Sequence, residues 1–75
     1  MYIIYLQFND GAQGYYIKDD EKQIFTLPNS YAVKDKKGKL RIEAFPSEQS
    51  ARAKAERLKH HFTSIEYSEV LLLKE

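Results

Sequence analysis

Residues 47–62, SEQSARAKAERLKHHF, decide the fold class, because they read as one helix following a series of strands. Ser47 is a good N-cap, and Glu48 sits favourably against the positive end of the helix dipole. Ser50 stands where a full capping box would place Glu or Gln, so the box is incomplete. From Ser47 to about His61 the residues are good helix formers without glycine or proline. Ala51, Ala55, Leu58 and Phe62 fall at i, i+4, i+7 and i+11, a narrow apolar stripe whose alanines allow close approach to a sheet.

Upstream, residues 2–8 (YIIYLQF) are β-branched and aromatic, the composition of a strand. Tyr2, Ile4, Leu6 and Phe8 share one face; Ile3, Tyr5 and Gln7 share the other. Both are largely apolar, so this strand is expected to be covered on two sides. Asn9-Asp10-Gly11 is turn chemistry, and residues 15–18 (YYIK) and 23–27 (QIFTL) form two further strands around the Asp19–Lys22 turn. Pro28 breaks the pattern. Residues 31–34 and 39–45 then read as a hairpin, joined by Asp35-Lys36-Lys37-Gly38 as a type I turn opening into a bulge.

Downstream, residues 64–73 (SIEYSEVLLL) alternate at first and end apolar on both faces. A β-bulge near Ser68-Glu69 would reconcile the two patterns. This strand leaves the helix, so a place beside the first strand is open to it; the alternative is that a second protomer covers its apolar faces, and the strand order is not fixed by the pattern. The sum is a single α+β domain over 1–75, an antiparallel sheet of four to six strands with one helix on one face and the final strand after it.

Composition narrows the function. With 75 residues the chain holds one domain. Basic residues number 12 and acidic residues 11, a balance that argues against bulk coating of nucleic acid or of an anionic membrane. There are no cysteines, which removes disulfides, thiolate metal sites and cysteine nucleophiles and points to a reducing cytoplasm. The N-terminal apolar run ends at Gln7, lacks a basic n-region, and is far short of the roughly 20 residues of a membrane span.

Catalytic motifs are missing as well: no G-x-S-x-G, Walker A, G-x-G-x-x-G or H-E-x-x-H occurs. His60 and His61 are adjacent on the helix and point about 100° apart. Glu56 and His60 have the i,i+4 spacing, but catalytic zinc needs a third protein ligand and none is evident. Asp19-Asp20-Glu21 lacks the glycine-bearing loop of an EF-hand and suits a turn. The expectation is a non-enzyme with no cofactor and no metal.

Two anomalies carry the functional reading. Six residues are tyrosine, at positions 2, 5, 15, 16, 31 and 67, and tyrosine is enriched at interfaces. A helix-free sheet face bearing Tyr5 with Tyr15 or Tyr16, together with the apolar Leu71, Leu72 and Leu73, would dock a protein partner or a second copy as a homodimer. The expected role is a small accessory or inhibitory interaction protein of bacterial or phage kind. The second anomaly is uneven charge: residues 34–62 hold nine of the twelve basic residues against four acidic ones. Lys34, Lys36, Lys37 and Lys39 in the hairpin, with the helix stripe Lys54, Arg57 and His61, give an alternative in which the chain binds nucleic acid phosphates. The element order departs from the RRM, dsRBD and OB arrangements.

Overall fold

The central strand is β1, Tyr2–Phe8, and the rest of the molecule is organised by its two apolar faces. The computed structural model describes residues 1–74. β2 (Gln13–Asp19), β3 (Ile24–Pro28), α1 (Glu48–His61) and β4 (Ile65–Leu72) follow in sequence. The sheet order is β3-β2-β1-β4, with every neighbouring pair antiparallel. The final strand lies beside the first, which settles the order that the sequence pattern left open.

The helix covers one face. Ser47 caps it by accepting the Ser50 N–H at 3.1 Å, and the Phe62 N–H closes the other end on the Leu58 carbonyl. Ala51, Ala55 and Leu58 pack on Ile4, Leu6, Tyr16 and Ile65. Ile4 and Leu6 are wholly enclosed, and burying each such side chain contributes about 1.5–3 kcal/mol. The two alanines let the helix settle close to β1 and β4 without a gap.

The far face has its own small core. Ile3 and Leu27 from the sheet meet Ile42, with Val33 and Ala44 packed around them. This overturns the expectation that 31–34 and 39–45 add strands: the sheet has four, and the segment between β3 and α1 is a strap lying across its far face. Its pairing shrinks to an isolated bridge, Lys34↔Leu40, beside a turn of the expected kind. Gly38 has φ +80° and donates to the Asp35 carbonyl, while the Asp35 carboxylate accepts from the Lys37 and Lys39 N–H groups. The alternation of Leu40, Ile42 and Ala44 reports a real amphipathic segment. Its apolar side meets a sheet face instead of completing a ladder.

The strap returns to the helix side by passing between β1 and β2. Those strands pair from Tyr5↔Tyr15 to Gln7↔Gln13 and part beyond Tyr5. Into the opening runs residue 43, whose N–H donates to the Tyr16 carbonyl, and then Phe45, which exchanges two 2.8 Å main-chain bonds with Tyr2. Ala44 belongs to the far core and Phe45 to the helix core, so the chain changes face within one residue.

Gly14 marks a close approach of β2 to β3. A Cβ there would lie 2.6 Å from the Leu27 carbonyl oxygen, so any side chain would push β3 away. The bulge in β4 also differs from expectation. Gln7 pairs with Tyr67 and Phe8 with Ile65, which leaves Glu66 as the extra residue, not Ser68 or Glu69. The parity therefore switches directly after the helix, where Ile65 must turn inward to reach the core.

Candidate partner-binding surfaces

On the far face, the part of the sheet beside the strap carries a row of three aromatic rings. Tyr5 lies at the centre of the row, directly across from Tyr15 on β2 and beside Tyr67 on β4. The ring centroids are 6.1 Å apart for Tyr5–Tyr15 and 6.5 Å for Tyr5–Tyr67, both edge-to-face, the arrangement that the ring quadrupoles favour. The Tyr5 hydroxyl donates to Gln13 Oε1 and accepts from Gln7 Nε2 at 2.8 Å, so its polar tip is held in place. Tyr67 is 44% exposed, and the nearby Glu69 carboxylate pushes its phenol above the ordinary range.

Residue by residue, the expected surface divides. Tyr5 and Tyr15 share this face and are half-buried. Tyr16 does not: it points to the helix side, is 4% exposed, and stacks on Phe45. A contact role for Tyr16 is therefore corrected to a core role, because adjacent strand residues point oppositely and Tyr15 takes the far face. Leu71 and Leu73 lean on the strap core, whereas Leu72 faces the other way and is 58% exposed. Sequence reasoning did not place Tyr67 in the surface. Its position depends on the bulge at Glu66, which no local pattern reveals.

The basic residues divide more sharply. Lys34, Lys36, Lys37 and Lys39 belong to the strap on the far face, while Lys54, Arg57 and His61 belong to α1 on the opposite side of the sheet. The seven side chains do not converge. The helix group also faces acid: an open groove of about 800 Å³ is lined by Lys54, Glu56, Arg57, Leu58 and His61 of the helix and by Asp19, Asp20 and Glu21 at the end of β2 and in the turn after it.

One ion pair joins the helix side of that groove to its sheet side. Lys54 Nζ lies 2.8 Å from Asp19 Oδ1, which also accepts the Tyr16 hydroxyl at 2.6 Å. Lys54, and next the Tyr16 hydroxyl, hold the Asp19 carboxyl below its usual range. Burial and the adjacent Asp19 hold the Tyr16 phenol protonated well above its own. Asp20 accepts from the Lys22 and Gln23 N–H groups, so it is spent on the turn. His60 and His61 also line the groove, but among the described residues no three His, Cys, Asp or Glu side chains group as metal ligands. No described helix is long and apolar enough to cross a membrane.

Comparison of the chain with protein-family models, with curated proteins and with solved structures returned no match in any of the three.

Proposed function

We propose that this chain is a small non-catalytic protein-interaction module that presents the Tyr15–Tyr5–Tyr67 row to a protein partner. The observation that carries this reading is the row itself. Three edge-to-face rings lie on a sheet face that the helix does not cover, and the strap occupies only the Ile3–Leu27–Ile42 end of it. Tyrosine supplies large apolar area at low rotameric cost and keeps a polar tip for hydrogen bonding, which is why it anchors interfaces. The two glutamines around the Tyr5 hydroxyl pre-order the centre, so less side-chain entropy is lost on docking.

Affinity capture with the wild type and with Tyr67→Ala and Tyr15→Ala tests it, each variant first checked for wild-type circular dichroism. A partner retained by the wild type and reduced about tenfold or more by either folded variant is the expected result. Equal capture by all three chains, or no specific capture by any, overturns the reading.

A second reading has narrower support. Tyr31 is 58% exposed and carries the Arg41 guanidinium 6.0 Å from its ring centroid, with the exposed Lys36, Lys37 and Lys39 on the adjoining turn. An aromatic ring beside several cations suits a single-stranded nucleic acid, whose bases stack and whose phosphates need positive charge. That binding would fall steeply with salt and with Lys37→Glu, and would ignore Arg57→Glu on the opposite side of the sheet.

A further inference from the structure

The free edge of β4 is the longest unpaired stretch of main chain in the sheet, and its chemistry points to one occupant. Among the described residues β4 pairs only with β1. Antiparallel strands turn their N–H and C=O groups alternately to one neighbour and the other. Tyr2 bonds to Phe45 on the β2 side of β1, while Asn9 bonds to Ser64 and Leu73 to Met1 on the β4 side. The odd-numbered residues of β1 therefore face β4, and their partners Tyr67, Glu69 and Leu71 face back. Ser68, Val70 and Leu72 are left with their N–H and C=O groups turned outward. The opposite edge, β3, is only five residues long and ends in Pro28, which has no N–H to offer. β4 has eight residues and no proline.

We infer that this edge is a self-association site, at which β4 of a second copy pairs antiparallel with β4 about a two-fold axis through Val70. Three features favour a second copy over an unrelated strand. A register centred on Val70 pairs Ser68 with Leu72 of the second copy, Val70 with its counterpart, and Leu72 with Ser68. It is the one register that pairs all three outward residues with one another inside the strand. The same register brings the bulged end of the strand, which carries Glu66, alongside Lys74 of the second copy, twice by symmetry, and covers the exposed Leu72. Shifting the axis to Glu69 would set two glutamates face to face, which is destabilising. Finally, the groove along this edge, lined by Arg52, Ala55, Glu56, Ser68, Glu69 and Val70, offers both charge signs, so a symmetric copy of the same patch can complement it. The result is an eight-stranded sheet carrying a tyrosine row on each half of one face.

This inference deepens the interaction-module reading by naming one partner, and its test separates the two because edge variants leave Tyr5, Tyr15 and Tyr67 in place. The chain has no cysteine, so introduced thiols report cleanly. Across a hydrogen-bonded antiparallel pair the Cα atoms lie about 5.5 Å apart, within disulfide range. Val70→Cys should therefore cross-link on mild oxidation. Leu72→Cys, though exposed, should not, because its counterpart would lie about 13 Å away along the strands. Ser68→Cys combined with Leu72→Cys should link again. Light scattering of the unmodified chain should show a dimer, and Val70→Pro should raise its dissociation constant about 30-fold or more, since two outward N–H bonds are lost per dimer. Leu72→Lys gives the same comparison should the proline variant fail to fold. Monomer at all concentrations up to about 1 mM overturns the inference. So does a dimer indifferent to both edge variants, or cross-linking as efficient at Leu72 as at Val70. A chain that stays monomeric while partner capture is still lost with Tyr67→Ala would leave the tyrosine face standing without the edge.

Discussion

Asp19, the last residue of β2, holds two groups with a single carboxylate oxygen: the Lys54 ammonium at 2.8 Å and the Tyr16 hydroxyl at 2.6 Å. The contact ties the middle of α1 to the sheet at the end away from β4. Because Asp19 is held below its usual pKa when folded, chiefly by Lys54, the protein binds fewer protons at this site folded than unfolded. Its stabilisation is present in full above the unfolded value near 3.8 and is lost as pH falls through the lower folded value. Denaturant unfolding of wild type and Asp19→Asn should thus differ by a constant amount above about pH 5, and the difference should shrink as pH falls below the unfolded value and through the lower folded one. A difference that persists at the acid end would mean that the carboxylate charge is not what the site uses.

The two partners of Asp19 should also report one another. Tyr16→Phe removes a part-buried hydrogen bond at a cost of about 1 kcal/mol. Lys54→Met keeps the aliphatic stem and removes the ion pair, costing about 0.5–1 kcal/mol because both side chains retain contact with water. Lys54 also lies 5.8 Å from the Tyr16 ring centroid. The double variant should cost measurably less than the two singles together, since Asp19 is shared between them. Strict additivity in a urea-unfolding cycle would show that the three groups act separately.

What was legible in the sequence is what local chemistry determines. The helix and its stripe, the β1 faces, the β2–β3 hairpin and the Asp35–Gly38 turn each depend on residues within a few positions of one another, and the structure carries them where the pattern placed them. The strap was not legible in the same way. Leu40, Ile42 and Ala44 alternate as a half-buried strand does, and alternation records only that one side is covered, not whether a ladder or a sheet face covers it. The tyrosine surface failed at the same kind of point. Tyr67 reaches the far face because Glu66 is an extra residue, and the extra residue follows from where the helix delivers Ile65, a long-range requirement. Likewise, Lys54, Arg57 and His61 form a stripe without acid in the sequence, whereas the groove sets beside them Glu56 of the same helix and Asp19, Asp20 and Glu21 from far upstream.

Gly14 should tolerate no side chain. The obstacle to Gly14→Ala is the Leu27 carbonyl, which is main chain and cannot swing aside. Separating β2 from β3 would also disturb the Tyr15↔Leu27 register and, through it, the far core. The expected cost is about 2 kcal/mol, within the range for overpacking. Gly11→Ala makes a useful comparison: nothing lies within 4 Å of a Cβ there, so its cost comes only from φ +93°. Equal midpoints for Gly14→Ala and wild type in urea unfolding would show that β3 gives way freely.

If the strap is a second core layer and not a surface loop, its central residue should behave as core. Ile42 is 7% exposed and joins Ile3 and Leu27, yet it sits in a segment with no regular strand pairing. Ile42→Ala should cost about 2–3 kcal/mol, at the lower end of the range for buried aliphatic truncation, because one side of this small cluster can collapse inward. Leu58→Ala, in the enclosed helix core at 1% exposure, should cost about 3–5 kcal/mol. The ratio between them is more informative than either value. A strap that merely rests on the sheet would give Ile42→Ala a cost below about 0.5 kcal/mol, typical of a surface position. The Ile3–Leu27 end of the far face would then be open to partners along with the tyrosine row. A cost near the expected value confines that face to Tyr5, Tyr15 and Tyr67, since the strap then covers the rest as firmly as the helix covers the other side.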